Sequence, residues 1–323
     1  MNAITQLDLL HLEETVASYG IGELIRYWPA TSGADSGSYV LHTVRDGRER
    51  EFVLTIIEPP SATSDPYLAL MNACASAGLP VSSIIRNLQG NPYDALDGNA
   101  VVLVPRLPGK HVYNPTVKQV QALARFIGRL HLATDNLHMP AYSKNTEWLH
   151  ERHEEIRGRI GFARSDLLAD TLTTVTNLLA RSDVIELPAG IIHSQLFRDN
   201  VLFNERGLTG VLGFKNAAAG YLIYDLAAAA NDWCNDANGI LDPERTLALL
   251  RAYHQFRPLT RHELWFFSGF TLYAALVFWV SRLCSARHPE AAEDVRFNNP
   301  DELQRIVEQH FAHFFYLDER LLV

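Results

Sequence analysis

The chain opens with an alternation of apolar and polar residues that is typical of an amphipathic helix. Leu9, Leu12, Val16 and Tyr19 recur at helical spacing. Gly20 follows them directly and is a common helix terminator. The pattern therefore predicts a helix that buries one face and ends at Tyr19.

The pattern then changes to short runs that are rich in β-branched and aromatic residues. These runs cover residues 23–28, 39–44 and 52–57. Asp46-Gly47 stands between the second and third runs, and glycine accepts the positive φ that a tight hairpin turn demands. We therefore predict an antiparallel sheet.

A second helix and a buried strand complete the first third of the chain. Asp65 is suited to cap a helix with Pro66 at its first position, and Gly78 is suited to end it. The continuous apolar run at 99–105 predicts a fully buried strand.

The rest of the chain reads as mostly helical, with one β-rich patch from 191 to 212. We predict an α+β protein of two lobes. A small antiparallel β-rich lobe covers 1–106, and a larger mainly α-helical lobe covers 107–323.

Composition and charge narrow the function to a small-molecule site. The chain has 323 residues, 47% of them hydrophobic, and a formal net charge of -9, so it offers no basic surface for nucleic acid or an anionic membrane. Its three cysteines fit a reducing compartment without disulfides. The N-terminus shows no secretion signal, and we expect a cytoplasmic protein. The apolar stretch at 265–280 is shorter than the roughly 20 residues of a membrane span and predicts a buried core helix.

Several distinctive motifs follow one another in the second half of the chain. The run HSQLFRDN at 193–200 follows a β-branched entry, and GFKN stands at 213–216. Further on come YDLA at 224–227, NDWC at 231–234 and FWVSRL at 278–283. Together these motifs resemble the kinase-like homoserine kinases of bacteria.

The resemblance implies a two-lobed protein-kinase-like fold, as in choline kinases and aminoglycoside phosphotransferases. It implies ATP-dependent phosphorylation of homoserine, a step of threonine biosynthesis. The catalytic-loop region would then be 191–216. In such kinases an aspartate accepts the hydroxyl proton, while magnesium neutralises the phosphate charge.

The chain departs from that family at its two central aspartates. Gln195 stands at the position of the base, where an amide has no useful basicity. Gly213 stands at the position of the metal-binding aspartate, which leaves Asn200 as the family's remaining metal ligand and disfavours magnesium. Ala69 replaces a family glutamate, and Thr55 stands where many kinases have a phosphate-binding lysine.

The resemblance assigns roles to further residues, each of which also has a structural interpretation. The expected nucleotide-binding positions are Ser32, Gly33, Ser36, Ser38, Thr55 and Lys215, and the expected substrate-binding positions are Arg198, Asn231, Asp232 and Trp233. The loop at 31–38 is equally a plain hairpin, and Lys215 is equally a solvated lysine that lies near the missing metal. The expected catalytic positions are Gln195 and, on either side of it, His193 and Asp199, with His193 favoured as a holder of the loop. Asp225 is expected to brace the loop from the core.

Three functions remain open at this stage. The leading one is a catalytically impaired kinase relative that binds an amino acid, a nucleotide or a protein partner, with a homo-oligomer as a further option. The second is an active homoserine kinase that uses ATP. The third is an enzyme repurposed to another transfer chemistry through Asp199, Lys215 or Asp232. The two lost aspartates count against the second.

Overall fold

The chain divides into two compact units, Met1–Gly109 and Lys110–Val323. The computed structural model describes residues 9–30, 37–57, 66–96, 99–285 and 300–322. The sequence places the boundary between the lobes at 106/107. Each unit is described by itself.

The first unit is an antiparallel sheet accompanied by helices. Its elements are α1 (Leu9–Tyr19), β1 (Glu23–Pro29), β2 (Ser38–Arg45), β3 (Arg48–Ile57), α2 (Pro66–Ser76), β4 (Asp94–Leu96) and β5 (Asn99–Pro105). The strands are hydrogen-bonded in the order β1-β2-β3-β5-β4, and each neighbouring pair is antiparallel. The predicted antiparallel β-rich lobe is confirmed.

The core of the first unit forms where α1 packs against the sheet. Leu12 and Val16 of α1 are buried together with Leu41 of β2 and Leu54 of β3. These are the positions that the helical and strand periodicities direct to one side. The amphipathic pattern of the opening helix thus supplies one wall of this core.

Two turns in the first unit follow from their residues. Asp46 and Gly47 have φ of 52° and 72°, and they close the hairpin in which Arg45 of β2 pairs with Arg48 of β3. Gly78 has φ of 62° just beyond α2, as predicted for its terminator. The predicted cap Asp65 lies outside the described residues.

The second unit is mainly helical. Its helices are α3 (Val117–Ala133), α4 (Thr146–Ile156), α5 (Phe162–Leu179), α6 (Ile223–Trp233), α7 (Pro243–His254), α8 (Arg261–Ser285) and α9 (Pro300–Ala312). Its strands are β6 (Ala189–Ile192), β7 (Val201–Asn204), β8 (Gly207–Val211) and β9 (Ala218–Tyr221). The predicted helical lobe with a β-rich patch is confirmed.

Helix α8 is the central helix of the second unit. It packs against α4, α5, α6 and α9. Within the described part of the chain it is the one helix long and apolar enough to cross a membrane, yet most of its apolar window is buried inside the protein. Phe270 and Trp279 are completely buried. The prediction of a core helix in this stretch is confirmed.

The short strands position the motif-bearing loops. Strand β6 pairs with β9, and β7 pairs with β8, both antiparallel. The segment 193–200 links β6 to β7, and the segment 212–217 links β8 to β9. The two segments lie next to each other, since Ser194 Oγ donates to the Asn216 carbonyl oxygen at 2.9 Å and the Leu212 N–H donates to the Asn200 carbonyl oxygen at 2.8 Å. The sequence pattern did not predict β9.

Helix α8 packs so closely against α5 at Gly269 that a larger side chain does not fit there. A Cβ at this position would lie 2.5 Å from the Leu178 side chain. We therefore expect Gly269→Val to lower the free energy of unfolding by about 1–3 kcal/mol, because overpacking displaces neighbouring side chains. Urea denaturation measures the change. The matched control is Gly158→Val, where a Cβ meets nothing within 4 Å. Equal stability of both variants would contradict the packing argument.

Candidate functional site

The loop after β6 is held by one buried carboxylate. Asp225 of α6 is completely buried and accepts hydrogen bonds of 2.7 Å from the backbone N–H groups of both His193 and Ser194. Ser194 has φ of 67°, a conformation that residues other than glycine rarely adopt. The two bonds therefore stabilise an unfavourable backbone turn, which is the contact that the bracing role requires.

The brace is itself anchored in a buried chain of polar groups. His131 Nε2 lies 3.2 Å from the Asp225 carboxylate, and His131 Nδ1 lies 2.8 Å from the Tyr253 hydroxyl. Arg257 donates to that hydroxyl at 3.1 Å and to Glu263 at 2.8 Å. This chain links α3, α6, α7 and α8, and no sequence motif had indicated it.

His193 supports the loop and is not placed for proton transfer. Its ring is completely buried, and Nε2 lies 2.7 Å from the Leu212 carbonyl oxygen. Burial lowers the pKa of His193, so the ring is neutral and Nε2–H is the donor. The ring also packs edge-on against Phe214. The structural interpretation of His193 fits these contacts.

Gln195 belongs to an amide network, which we define as Gln195, Asn200 and Asn216. Asn216 Nδ2 donates to Gln195 Oε1 at 2.9 Å, and Asn200 Nδ2 donates to the Gln195 carbonyl oxygen at 2.8 Å. Ser194 Oγ donates to the Asn216 carbonyl oxygen at 2.9 Å. Neutral amides thus cross-link the loop to the 213–216 turn at the position where the sequence resemblance implies a catalytic aspartate.

The donors at Asn200 and Gly213 do not fit a magnesium ion. Gly213 has φ of 85° and contributes no side chain, while a Cβ there would lie 3.0 Å from Asn200 Oδ1. Magnesium is bound in proteins through one or two carboxylates. Among the residues described, no three His, Cys, Asp or Glu side chains form a group that could hold a metal.

A pocket next to the loop collects charged and aromatic side chains. We call it the charged pocket; the residues that line it include Phe197, Asp199, Asp232, Phe278, Arg282 and Glu302. Phe197 and Phe278 meet edge to face, with ring centroids 4.2 Å apart. The pocket lies entirely within the second unit, between the loop, α6, α8 and α9.

Arg198 and Asp232 neutralise each other at the edge of this pocket. Arg198 donates to Asp232 Oδ1 from Nε at 3.1 Å and from Nη2 at 2.9 Å, and its backbone N–H donates to Oδ2 at 2.6 Å. Arg198 Nη1 donates to the Tyr113 carbonyl oxygen at 2.6 Å. Both predicted substrate residues line the pocket, but their charged groups are paired with each other.

The other two expected substrate residues serve mainly to hold helices in place. Asn231 donates to the Thr271 carbonyl oxygen at 2.8 Å and lies 2.8 Å from His310 Nε2. Trp233 is completely buried, and its indole N–H donates to the Leu196 carbonyl oxygen at 2.9 Å. The assignment of Trp233 to substrate contact needs correction. Its side chain lies in the core, where the indole N–H holds the loop at Leu196.

Asp199 carries a buried carboxylate oxygen that lacks a hydrogen-bond partner, Oδ1. Burial and then the nearby Asp232 raise the pKa of Asp199 to about 6, against the opposing charges of Arg282 and His111. An unsatisfied buried acceptor costs free energy. Of the three predicted catalytic residues, Asp199 is therefore the one with a buried side-chain atom that can still accept a hydrogen bond from a ligand.

The nucleotide positions proposed from the sequence are only partly described. Ser32, Gly33 and Ser36 lie outside the described residues. Ser38 Oγ lies 3.0 Å from Thr55 Oγ1 across β2 and β3 of the first unit. Lys215 is exposed on the turn after β8.

Three residues of this region were not singled out from the sequence. Asn216 lies in the motif GFKN and Arg282 in the motif FWVSRL, but the sequence assigns neither residue a role. Glu302 is separated from every motif and lies in the first turn of α9, where an acidic residue is ordinary.

We expect Asp225→Asn to lower the free energy of unfolding by about 2–3 kcal/mol, because one of two buried backbone N–H groups would face an amide NH₂ donor. The control is Asp236→Asn. Asp236 is exposed and accepts from the backbone N–H groups of Asn238 and Ile240, so its loss should cost about 1 kcal/mol or less. Urea denaturation measures both. Equal effects would mean that Asp225 is not the brace.

The raised pKa of Asp199 predicts a pH dependence of stability. The folded state binds its proton up to about pH 6, whereas an unfolded chain releases it near pH 4. Stability should therefore fall as pH rises from about 4 to 6. We expect Asp199→Asn to reduce that loss by about 1–2 kcal/mol relative to wild type. Urea denaturation at several pH values tests this, with the exposed Asp135→Asn as control. An unchanged slope in Asp199→Asn would refute the prediction.

Comparison with known proteins assigns the family. Residues 28–259 match the phosphotransferase enzyme family. The homoserine kinase of Pseudomonas aeruginosa is 34% identical over 307 residues, which cover 94% of this chain and 95% of the relative. Among solved structures, a microcompartment-associated aminopropanol kinase shares the fold with a TM-score of 0.70 at 15% identity, covering 94% of this chain and 98% of its own. An amicoumacin kinase in complex with AMP-PNP, Ca²⁺ and Ami has a TM-score of 0.65 at 16% identity, covering 94% of this chain and 93% of its own. This chain therefore belongs to the phosphotransferase enzyme family and is a homologue of homoserine kinase.

Proposed function

We propose that this protein binds homoserine or a closely related hydroxylated amino acid, together with a nucleotide, and that it transfers phosphate slowly or not at all. The observation that carries the proposal is the amide network, in which Gln195 and Asn216 are hydrogen-bonded at 2.9 Å where the family has its base. A ligand would be recognised, while the reaction would lack its proton acceptor.

The expected loss of rate follows from the chemistry of the two positions. A positioned general base contributes about 10²- to 10⁴-fold to a reaction rate, and the Gln195 amide has no basicity to supply it. Gly213 offers no carboxylate to a metal that would neutralise charge on the transferring phosphoryl group. Both deficits fall on the transition state, so binding of the ground-state ligands need not suffer.

The ligand part of the proposal is supported by kinship and by the charged pocket. The P. aeruginosa relative is a homoserine kinase, and kinases of this family use a nucleotide. Lys215 is the residue we propose to assist a nucleotide phosphate without metal. Binding to a protein partner, assembly with a second copy and a cytoplasmic location stay predictions.

A second function is an active ATP-dependent homoserine kinase. The comparisons taken alone favour it over the impaired protein, because the relative that matches nearly the whole chain carries that name. One structural observation also favours it. Asp199 follows Gln195 by four positions and carries a buried carboxylate oxygen without a partner, which is a candidate proton acceptor with a pKa of about 6.

Phosphotransfer is measured directly by ³¹P NMR of mixtures of ATP, homoserine and protein, with and without magnesium. For the wild-type protein we expect no homoserine phosphate above the level of a sample without protein. For Gln195→Asp/Gly213→Asp we expect magnesium-dependent formation to rise by about 10²- to 10⁴-fold, because base and metal carboxylate return together.

The matched control is Gln255→Asp/Gly158→Asp, which makes the same exchanges at exposed positions. Turnover by the wild-type protein at ordinary kinase rates would establish the second function instead. In that case Asp199→Asn should abolish turnover and Gln195→Ala should not. Binding of homoserine without turnover in any variant would leave the ligand assignment standing and show that more than these two residues has changed.

A further inference from the structure

We infer that the charged pocket is built for a zwitterion, with Arg282 binding the carboxylate of the ligand and Asp199, assisted by Glu302, binding its ammonium group. This inference rests on the proposed function and names the groups of the ligand that this chain recognises. Neither Arg282 nor Glu302 was assigned a role from the sequence.

Arg282 is the unsatisfied cation of the pocket. It follows the buried part of α8 and is itself half-buried. Within the described ranges, no carboxylate lies at ion-pair distance from it, whereas Arg198 in the same pocket is paired with Asp232 at 2.9 Å. Burial lowers the pKa of Arg282, although Asp199 and Asp232 act against that shift. A half-buried guanidinium is partly desolvated, and the carboxylate of a ligand in the pocket would give it a charge-assisted hydrogen bond.

Asp199 is the complementary anion. Its Oδ1 is buried without a hydrogen-bond partner, so it can accept a bond from a ligand. Asp232 is less available, since both of its oxygens already accept from Arg198. Glu302 of α9 lines the same pocket and, in the part of the chain that is described, forms no ion pair. The unused charges are therefore one guanidinium and two carboxylates.

The arrangement of these groups specifies a ligand with both charges. Asp199 and Arg282 influence each other's pKa but are too far apart for an ion pair. Both side chains line the charged pocket, so a ligand bound there can contact both. Phe197 and Phe278 form an aromatic wall, and Ile306 adds an apolar surface that keeps water away and strengthens electrostatic contacts. A simple amine would leave Arg282 unpaired and repelled, and a simple acid would leave Asp199 unpaired.

Isothermal titration calorimetry with three related compounds tests the inference. Homoserine carries both charged groups, 3-aminopropan-1-ol lacks the carboxylate, and 4-hydroxybutanoate lacks the ammonium group. We expect the wild-type protein to bind homoserine at least about tenfold more tightly than either analogue, because each lost charge-assisted bond contributes more than 1.4 kcal/mol.

Substitutions then separate the two ends of the ligand. Arg282→Gln should weaken homoserine binding by about tenfold or more and leave 3-aminopropan-1-ol unchanged or improved, while Arg282→Lys should retain part of the homoserine affinity. Asp199→Asn should weaken both amine-bearing compounds. The matched control is Arg305→Gln, which removes an exposed arginine of the same helix as Glu302. Thermal unfolding confirms that each variant is folded.

The outcomes separate this inference from the proposed function. Equal affinity of the wild-type protein for homoserine and 3-aminopropan-1-ol, or unchanged homoserine binding in Arg282→Gln, would overturn the zwitterion site and leave homoserine as the ligand. If serine or threonine bound in an Arg282-dependent way and homoserine did not, the zwitterion site would stand and the proposed function would fail. If none of these amino acids bound, both would be wrong.

Discussion

The Asp225 carboxylate is the interaction on which the geometry of the loop depends. It accepts from two successive backbone N–H groups, and the second belongs to Ser194, whose φ of 67° would otherwise be unfavourable. His131 of α3 contacts Asp225 of α6 and is itself held by Tyr253 of α7, which Arg257 links to Glu263 of α8. Side chains from four helices therefore stabilise this one backbone turn. The loop therefore keeps its path whatever side chain stands at position 195.

This arrangement separates the scaffold of the site from its chemistry. The brace uses backbone groups and buried side chains, whereas Gln195 and Gly213, on which the proposal of a slow or absent reaction rests, are partly exposed. The amide network links Gln195 through neutral hydrogen bonds to Asn200 and to Asn216, which lies three residues after Gly213. The family fold does not by itself fix the reaction, because fold and function are carried by different groups.

The sequence predicted the elements whose signal is local. Apolar periodicity was sufficient for α1 and α8, and the Asp46-Gly47 pair was sufficient for its hairpin. The sequence did not predict in which direction the side chains of a motif point. Asp232 and Trp233 are neighbours in one motif, but successive residues of a helix point about 100° apart, so Asp232 faces the pocket and Trp233 the core. His131 and Glu302 were not predictable, because their partners are distant in sequence and no spacing rule connects them.

The pattern of charges in the pocket argues for ligand binding independently of phosphotransfer. Asp232 and Arg198 satisfy each other, which leaves Arg282, Asp199 and Glu302 as charges that the protein's own contacts do not balance. Burial of such groups lowers stability, and apolar residues of similar volume are often more stable at buried positions. Here Asp199, Arg282 and Glu302 all line the charged pocket. A ligand that carries both charges is the species that offsets this cost, whether or not it is then phosphorylated.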